Sequence, residues 1–353
     1  MKFRFFKLKK KTKKIIVIVS VVFGSFALLI GGSALYIDSM LSADLPIDKE
    51  TFVTVPKNAD IDATMKALNQ QGLFKPSFVF TNIMRFYAKT SGRRIFAGCY
   101  RLMPENTNLQ LLKSLFTGNQ LLTIKVTYPE GISLKEFAEI TEKKLGTPAS
   151  EFMREAANDS LLRAFKIDAP TAEGYLMPDT YEFFWKQSAE EILSKMLALH
   201  LKLWNERFRG KFAQQKLTKH QVLTLASIVE SESPLEQERP RVSGVYMNRL
   251  GVGMKLCADP TVQYAIGEKK RLFNKDLEFD SPYNTYKYEG LPPGPINSPS
   301  LSSIAAALSP EKHNYYYFVA VGDGSGRHNF AASGNEHSRN VAQYRKNYKK
   351  NRK

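Results

Sequence analysis

The sequence predicts an α+β protein hung from a single N-terminal transmembrane helix, and three observations carry that prediction. Ile15 to Ile37 contain no charged residue. Three later stretches repeat one local grammar of β-like run, proline and capped amphipathic run. A long apolar run, preceded by a capping pair, closes on two glutamates at Glu230 and Glu232.

The charge-free stretch IIVIVSVVFGSFALLIGGSALYI, at about 1.5 Å per helical residue, is long enough to cross a hydrocarbon core of about 30 Å. It exceeds the apolar core of a cleaved signal peptide, so a retained anchor is expected. Residues 1–14 carry eight Lys or Arg, including Lys7, Lys9, Lys10, Lys11, Lys13 and Lys14. They place the N-terminus in the cytoplasm and the chain from Asp38 onward on the far side. A second basic stretch, residues 339–353, carries seven Lys or Arg and no acid, and it reads as a solvated, disordered end. Of the net charge of +17, only +2 remains for everything between these two stretches. A nucleic-acid footprint is therefore not expected on the folded body.

Residues 38–48 read as a short linker. The repeats then begin at Phe52 (FVTVPKNADIDATMKAL), Cys99 (CYRLMPENTNLQLLKSL) and Ile124 (IKVTYPEGISLKEFAEI). Each β-like run ends at Pro56, Pro104 or Pro129, and Asp60, Asn108 or Ser133 then opens a helix. The expected divisions are a module over 49–118, a mixed α/β subdomain over 119–210 and a third domain over 211–340, followed by the basic tail 341–353. A long helix is expected from about Ala189 to Phe208. Thr218 and Gln221 form a capping box for the next helix, which places Val222, Leu225, Ala226 and Val229 on one face. After Pro234 a further helix, about Leu235 to Leu250, leads into turn-rich sequence, a β-like NYYYFVAVG and the glycine-rich GDGSGR. That run lacks the Lys-Ser/Thr of a phosphate loop and reads as a turn.

Two cysteines, Cys99 and Cys257, without CxxC spacing imply no metal cage, and two unpaired residues or one bridge are both open. Five scattered histidines show no zinc spacing, and no cofactor is expected.

Glu230 and Glu232 are unusual because the last turn of a helix disfavours acids. At 100° per residue Glu230 lies about 80° from Val222, while Glu232 flanks the other edge of the stripe. Two readings stand side by side: a desolvated carboxyl suited to general acid chemistry, or a solvated turn whose acids pair with Arg239 or Arg241. Asp259 in CADPTVQY reads as a turn or helix cap. Tyr283, Asn284, Thr285 and Tyr286, ahead of GLPPGPI, combine aromatic, amide and hydroxyl groups suited to sugar.

Together ASIVESES, VYMNRLGVGMKLCADPTVQYAIG, YNTYKYEGLPPGPI, YPEG and EGYLMPDTYEF resemble the MltG or YceG-like family of membrane-anchored endolytic murein transglycosylases. The resemblance covers roughly residues 48–345. It implies a LysM-like βα module at 49–118 and a mixed α/β catalytic domain over 211–340 with its acid on a helix. It also implies cleavage of the MurNAc–GlcNAc bond of nascent strands with a 1,6-anhydro product, at the bacterial cytoplasmic membrane. Glu230 maps onto the family's catalytic acid and Glu232 onto a second acid position. Asn248, Asp259, Thr261, Tyr264, Asn284, Thr285 and Tyr286 map onto cleft-lining positions, and each is equally suited to holding loops in place. Cys257 stands where the family pattern has glutamine. Peptidoglycan strands and peptidoglycan synthases are the implied partners. A muramidase using Asp259 or Glu238 as second carboxylate, and a non-catalytic peptidoglycan scaffold, are the competing readings.

Overall fold

Alternation and capping explain most of the secondary structure of the computed structural model, which describes residues 10–56, 59–73, 77–213 and 216–351. Residues 1–9 of the N-terminal basic stretch and residues 352–353 of the C-terminal one lie outside the described residues. The architecture is mixed α+β, with one N-terminal apolar helix and a division into two units, Met1–Leu122 and Thr123–Lys353.

In the first unit, α1 (Lys10–Ser42) is exposed along its apolar length. The segment read as a linker is corrected: its first five residues, 38–42, continue α1, and Leu45 is buried. The Asn108 amide pins the helix end by donating to Met40 O at 2.8 Å, and Leu45 N donates to Asn106 O at 2.8 Å. β1 (Thr51–Val55) follows, then α2 (Ile61–Gln70), α3 (Phe78–Ser91), β2 (Gly98–Leu102) and α4 (Asn108–Thr117). β1 and β2 are antiparallel, from Thr51 opposite Leu102 to Val55 opposite Gly98. Val53 and Val55 point inward by the two-residue period of a strand, and Leu68, Met84, Leu111 and Leu115 of the helices are buried in the same unit. Asp60 caps α2 as expected, through Ala63 N at 2.7 Å. The α4 cap is Thr107, not Asn108, because Thr107 and Gln110 close a capping box while the Asn108 side chain turns to α1.

The second unit begins with β3 (Thr123–Thr127), α5 (Leu134–Leu145), α6 (Ala149–Glu155), α7 (Asp159–Ala164), β4 (Thr180–Phe184) and α8 (Ala189–Leu203). β3 and β4 are antiparallel, Thr123 opposite Phe184. α8 runs through a π turn, Trp204–Phe208, into α9 (Arg209–Phe212). Then come α10 (Lys219–Glu232), a 3₁₀ turn at Glu236–Glu238, α11 (Arg239–Gly251), α12 (Asp259–Ile266), α13 (Asn274–Leu277) and α14 (Leu301–Leu308). β5 (Tyr317–Ala320) and β6 (His328–Ala331) form a hairpin around the GDGSGR turn, and α15 (Gly334–Asn351) closes the unit. The C-terminal basic stretch is thus helical through Asn351. α15 packs on β5 and β6, and the Asn347 amide donates to Val321 O at 2.7 Å.

Residues 119–210 and 211–340, read as separate domains, share one hydrophobic core from Val126 to Leu308. Its centre is α10. The sequence gives this helix an apolar stripe, yet every residue from Val222 to Val229 is buried, because α11, α12 and α14 all pack against it. Leu223 and Ile228, off the predicted stripe, are fully buried too, and each adds roughly 1.5–3 kcal/mol. No disulfide joins the cysteines: Cys99 is buried in β2 and Cys257 is exposed in the second unit.

Candidate functional site

α10 is buried to its final turn, so Glu230 leaves it with a side chain only 7% exposed. Both of its carboxyl oxygens accept hydrogen bonds. Oε1 accepts from Arg239 Nη2 at 2.9 Å, and Oε2 accepts from Ser300 N at 2.8 Å and Ser300 Oγ at 2.5 Å. Ser300 is the N-cap of α14, which resolves the puzzle of an acid at a helix C-terminus. The carboxylate at the end of α10 sits at the positive start of α14. Arg239, itself 6% exposed along its side chain, also donates through Nη1 to the hydroxyls of Ser300 and Ser302 and through Nε to Ser233 O.

The YPEG turn lies over this carboxyl. Gly131 has φ +71°, its N–H donates to Ser298 O at 2.9 Å, and a Cβ at that position would stand 3.4 Å from Glu230 Cγ. The neighbouring Glu130 carboxyl is exposed, and it is raised above its ordinary range by burial of its surroundings and by the Glu230 charge, against the pull of Arg239.

Glu232 faces elsewhere and belongs to a second cluster. Tyr246 of α11 donates to its Oε1 at 3.2 Å. Burial, with repulsion from Asp259, pushes its carboxyl up to about 7, against the Tyr246 hydrogen bond and Arg249. Asp259 is exposed at the start of α12 and accepts from Tyr286 OH at 2.5 Å, so Glu232, Asp259 and Tyr286 lie together.

Three cleft candidates are buried and brace the wall behind such a surface. Thr261 and Thr285 share a hydroxyl contact at 2.9 Å, and Thr285 Oγ1 accepts from Ala258 N at 3.0 Å. The Asn284 amide donates to Leu277 O at 2.9 Å and Phe279 O at 2.7 Å. Asn248 is spent in the same way, its amide donating to His313 O and Tyr315 O at 2.9 Å each. Tyr264 packs 4.9 Å from Tyr283, and its hydroxyl lies 3.4 Å from Glu173 Oε2. Glu238 holds His328 Nδ1 at 2.8 Å.

The pattern of motifs and the fold agree with known proteins. The YceG-like family pattern matches residues 53–343. The chain belongs to the YceG-like family. An endolytic murein transglycosylase of Bacillus subtilis (strain 168) is 31% identical over 317 residues, covering 84% of this chain and 86% of that protein. The same-named protein of Streptococcus pneumoniae (strain ATCC BAA-255 / R6) is 30% identical over 87% of this chain, which spans 61% of that longer relative. A solved yceG-like protein from Listeria monocytogenes superposes with a TM-score of 0.57 at 32% identity, covering 83% of this chain and 99% of that one.

In this YceG-like chain, sequence reasoning offers Arg239 as a partner for the acids but misses its setting. The turn is buried rather than solvated, and Arg241 pairs instead with Glu311 at 3.0 Å. Ser300 and Ser302 go unnoticed. Ser300 carries an N-cap signal, a serine before LSSIAAAL, but nothing local says that its hydroxyl turns to a carboxyl 70 residues earlier.

Proposed function

We propose that this chain is a membrane-anchored endolytic murein transglycosylase, a lyase that cuts the MurNAc–GlcNAc bond of nascent peptidoglycan strands. The observation that carries this reading is family membership over residues 53–343, with relatives of that name at 30–31% identity along most of the chain. α1 is the anchor, with its basic N-terminal side cytoplasmic and both units on the outer face of the bacterial cytoplasmic membrane. The anchor limits cleavage to strands close to the bilayer, where synthases extend them, and such synthases are the partners this reading implies.

Glu230 is the catalytic residue in this proposal. It protonates the glycosidic oxygen and then takes the proton of the MurNAc 6-hydroxyl as that oxygen closes onto C1. The C1–O bond breaks, the C1–O6 bond forms, and no water is consumed. One carboxyl serves as acid and then base, so no partner carboxylate is needed. The fixed orientation of its oxygens by Arg239 and Ser300 supports this role, since a general acid must be aimed within hydrogen-bond reach. Glu232, Asp259 and Tyr286 supply a supporting polar wall, and Tyr264 with Tyr283 supplies ring faces for sugar. The β1-α2-α3-β2 order of the first unit supports reading it as a LysM-like, glycan-contacting module.

The test is digestion of purified peptidoglycan by the full chain in detergent, wild type and Glu230→Gln, with products resolved by mass spectrometry. Fragments ending in 1,6-anhydro-MurNAc, one water lighter than hydrolytic ends and missing with the variant, are expected. Reducing ends would assign a muramidase. No cleavage by a folded, glycan-binding protein would assign a scaffold.

A further inference from the structure

The first unit carries a second apolar surface at the level of the anchor. α3 buries Phe80 and Met84 in the core and turns its other side outward, with Phe78 83% and Phe86 69% exposed. Arg85 and Lys89 share that outward side, and the helix contains no acid. An amphipathic helix with aromatic and basic residues on one side is the pattern of an interfacial membrane segment.

Its depth is fixed by α1. Val79, next to Phe78, lines a groove together with Leu28, Leu29, Gly32, Ser33, Tyr36 and Ile37. The charge-free stretch of α1 ends at Ile37, with Asp38 the first charge and Tyr36 placed as an interfacial aromatic. Gly32 lies five residues before Ile37, about 7–8 Å further along the helix axis. Interfacial helices bury their apolar side about 5–10 Å, so the start of α3 falls at the depth where lipid, not water, surrounds α1. The end of α1 is itself tied to the start of α4: besides the Asn108 and Leu45 bonds, Asn108 N donates to Ala43 O at 2.9 Å.

We infer that the first turn of α3, led by Phe78, inserts into the outer part of the leaflet from which α1 emerges, making a second membrane contact that holds the first unit against the bilayer. Lys89 and Arg85 then lie within reach of lipid headgroups, Arg85 while paired with Asp62 at 2.7 Å. The inference rests on the reading of α1 as a membrane-spanning anchor.

The experiment uses the full chain in nanodiscs of phosphatidylcholine and phosphatidylglycerol, with Cys99→Ala and Cys257→Ser, carrying an NBD fluorophore on Phe78→Cys, Phe23→Cys or Lys113→Cys. Phe78 is exposed, so its label leaves the core intact. The expected result is that the probe at 78 matches the one at 23: blue-shifted, quenched by nitroxide-bearing lipid and shielded from aqueous iodide. The probe at 113 behaves oppositely. A probe at 78 open to iodide while 23 is lipid-quenched overturns the inference and leaves the anchor standing. A probe at 23 open to iodide overturns both. A probe at 78 shielded from lipid nitroxide and iodide alike means that protein covers this turn, and it also overturns the inference.

Discussion

Glu230 Oε1 lies 2.9 Å from Arg239 Nη2, and the two side chains are 7% and 6% exposed. This is a buried ion pair nine residues apart in sequence, joining the end of α10 to the start of α11. Removing one partner strands the other, whereas replacing both relieves the loss. Arg239→Ala is expected to lower stability by about 3–5 kcal/mol in urea unfolding. Glu230→Gln combined with Arg239→Met should recover part of that loss, and strict additivity would show that the pair is not coupled.

Glu130 reports on the charge of Glu230. Burial of its surroundings raises its carboxyl first, and repulsion from Glu230 adds to this. Glu230→Gln removes the repulsion, so the Glu130 midpoint should fall, as read by carbon-13 NMR titration of the side-chain carboxyl. An unchanged midpoint would separate the two groups.

Glu232 makes stability depend on pH. Its carboxyl is pushed from an ordinary 4.5 up to about 7, so between those values the folded chain binds more protons than the unfolded one. The contribution is complete below about 4.5 and is lost as pH rises through about 7, on the order of 3 kcal/mol. Glu232→Gln should flatten this part of a urea-midpoint profile taken from pH 4.5 to 8. Tyr246→Phe removes the hydrogen bond that opposes the shift and should move the fall to higher pH.

His200 acts in the opposite direction. It is 2% exposed, and neither ring nitrogen has a hydrogen-bond partner among the described residues. It packs on Tyr175 and Trp204, with the Lys219 charge nearby. Burial, aided by Lys219, holds the ring well below its usual range near 6.5, so stability falls as pH drops below about 6.5 and the unfolded ring takes a proton. His200→Phe should remove that acid sensitivity and gain about 1–3 kcal/mol from the lost unpaired groups. Thermal melts across pH 4.5–7.5 decide it.

Gly174, inside the EGYLMPDTYEF motif, has φ +79°, and a Cβ there would meet Pro295 Cβ at 2.3 Å. Gly174→Ala combines backbone strain with a collision against a rigid ring. A loss of at least about 2 kcal/mol is expected in urea unfolding. A melting temperature equal to wild type would contradict the close approach of the two loops.

The sequence by itself determined the features written within about ten residues. The charge-free run gives α1, the strand-to-helix repeats are real, and Asp60, Ser133 and Thr218 cap the helices they precede. It also marked Glu230 and Glu232, because acids after an apolar run conflict with local preference and so call for a tertiary reason. What the tertiary structure alone decided lies across long separations. Ser300 reaches Glu230 from 70 residues away, and Thr285 meets Thr261 from 24. Arg239 rather than Arg241 faces the acid, and α10 is buried on every side rather than along one stripe. Periodicity and capping are properties of one segment's backbone, whereas the direction of a side chain and the partner it meets depend on how separate segments pack.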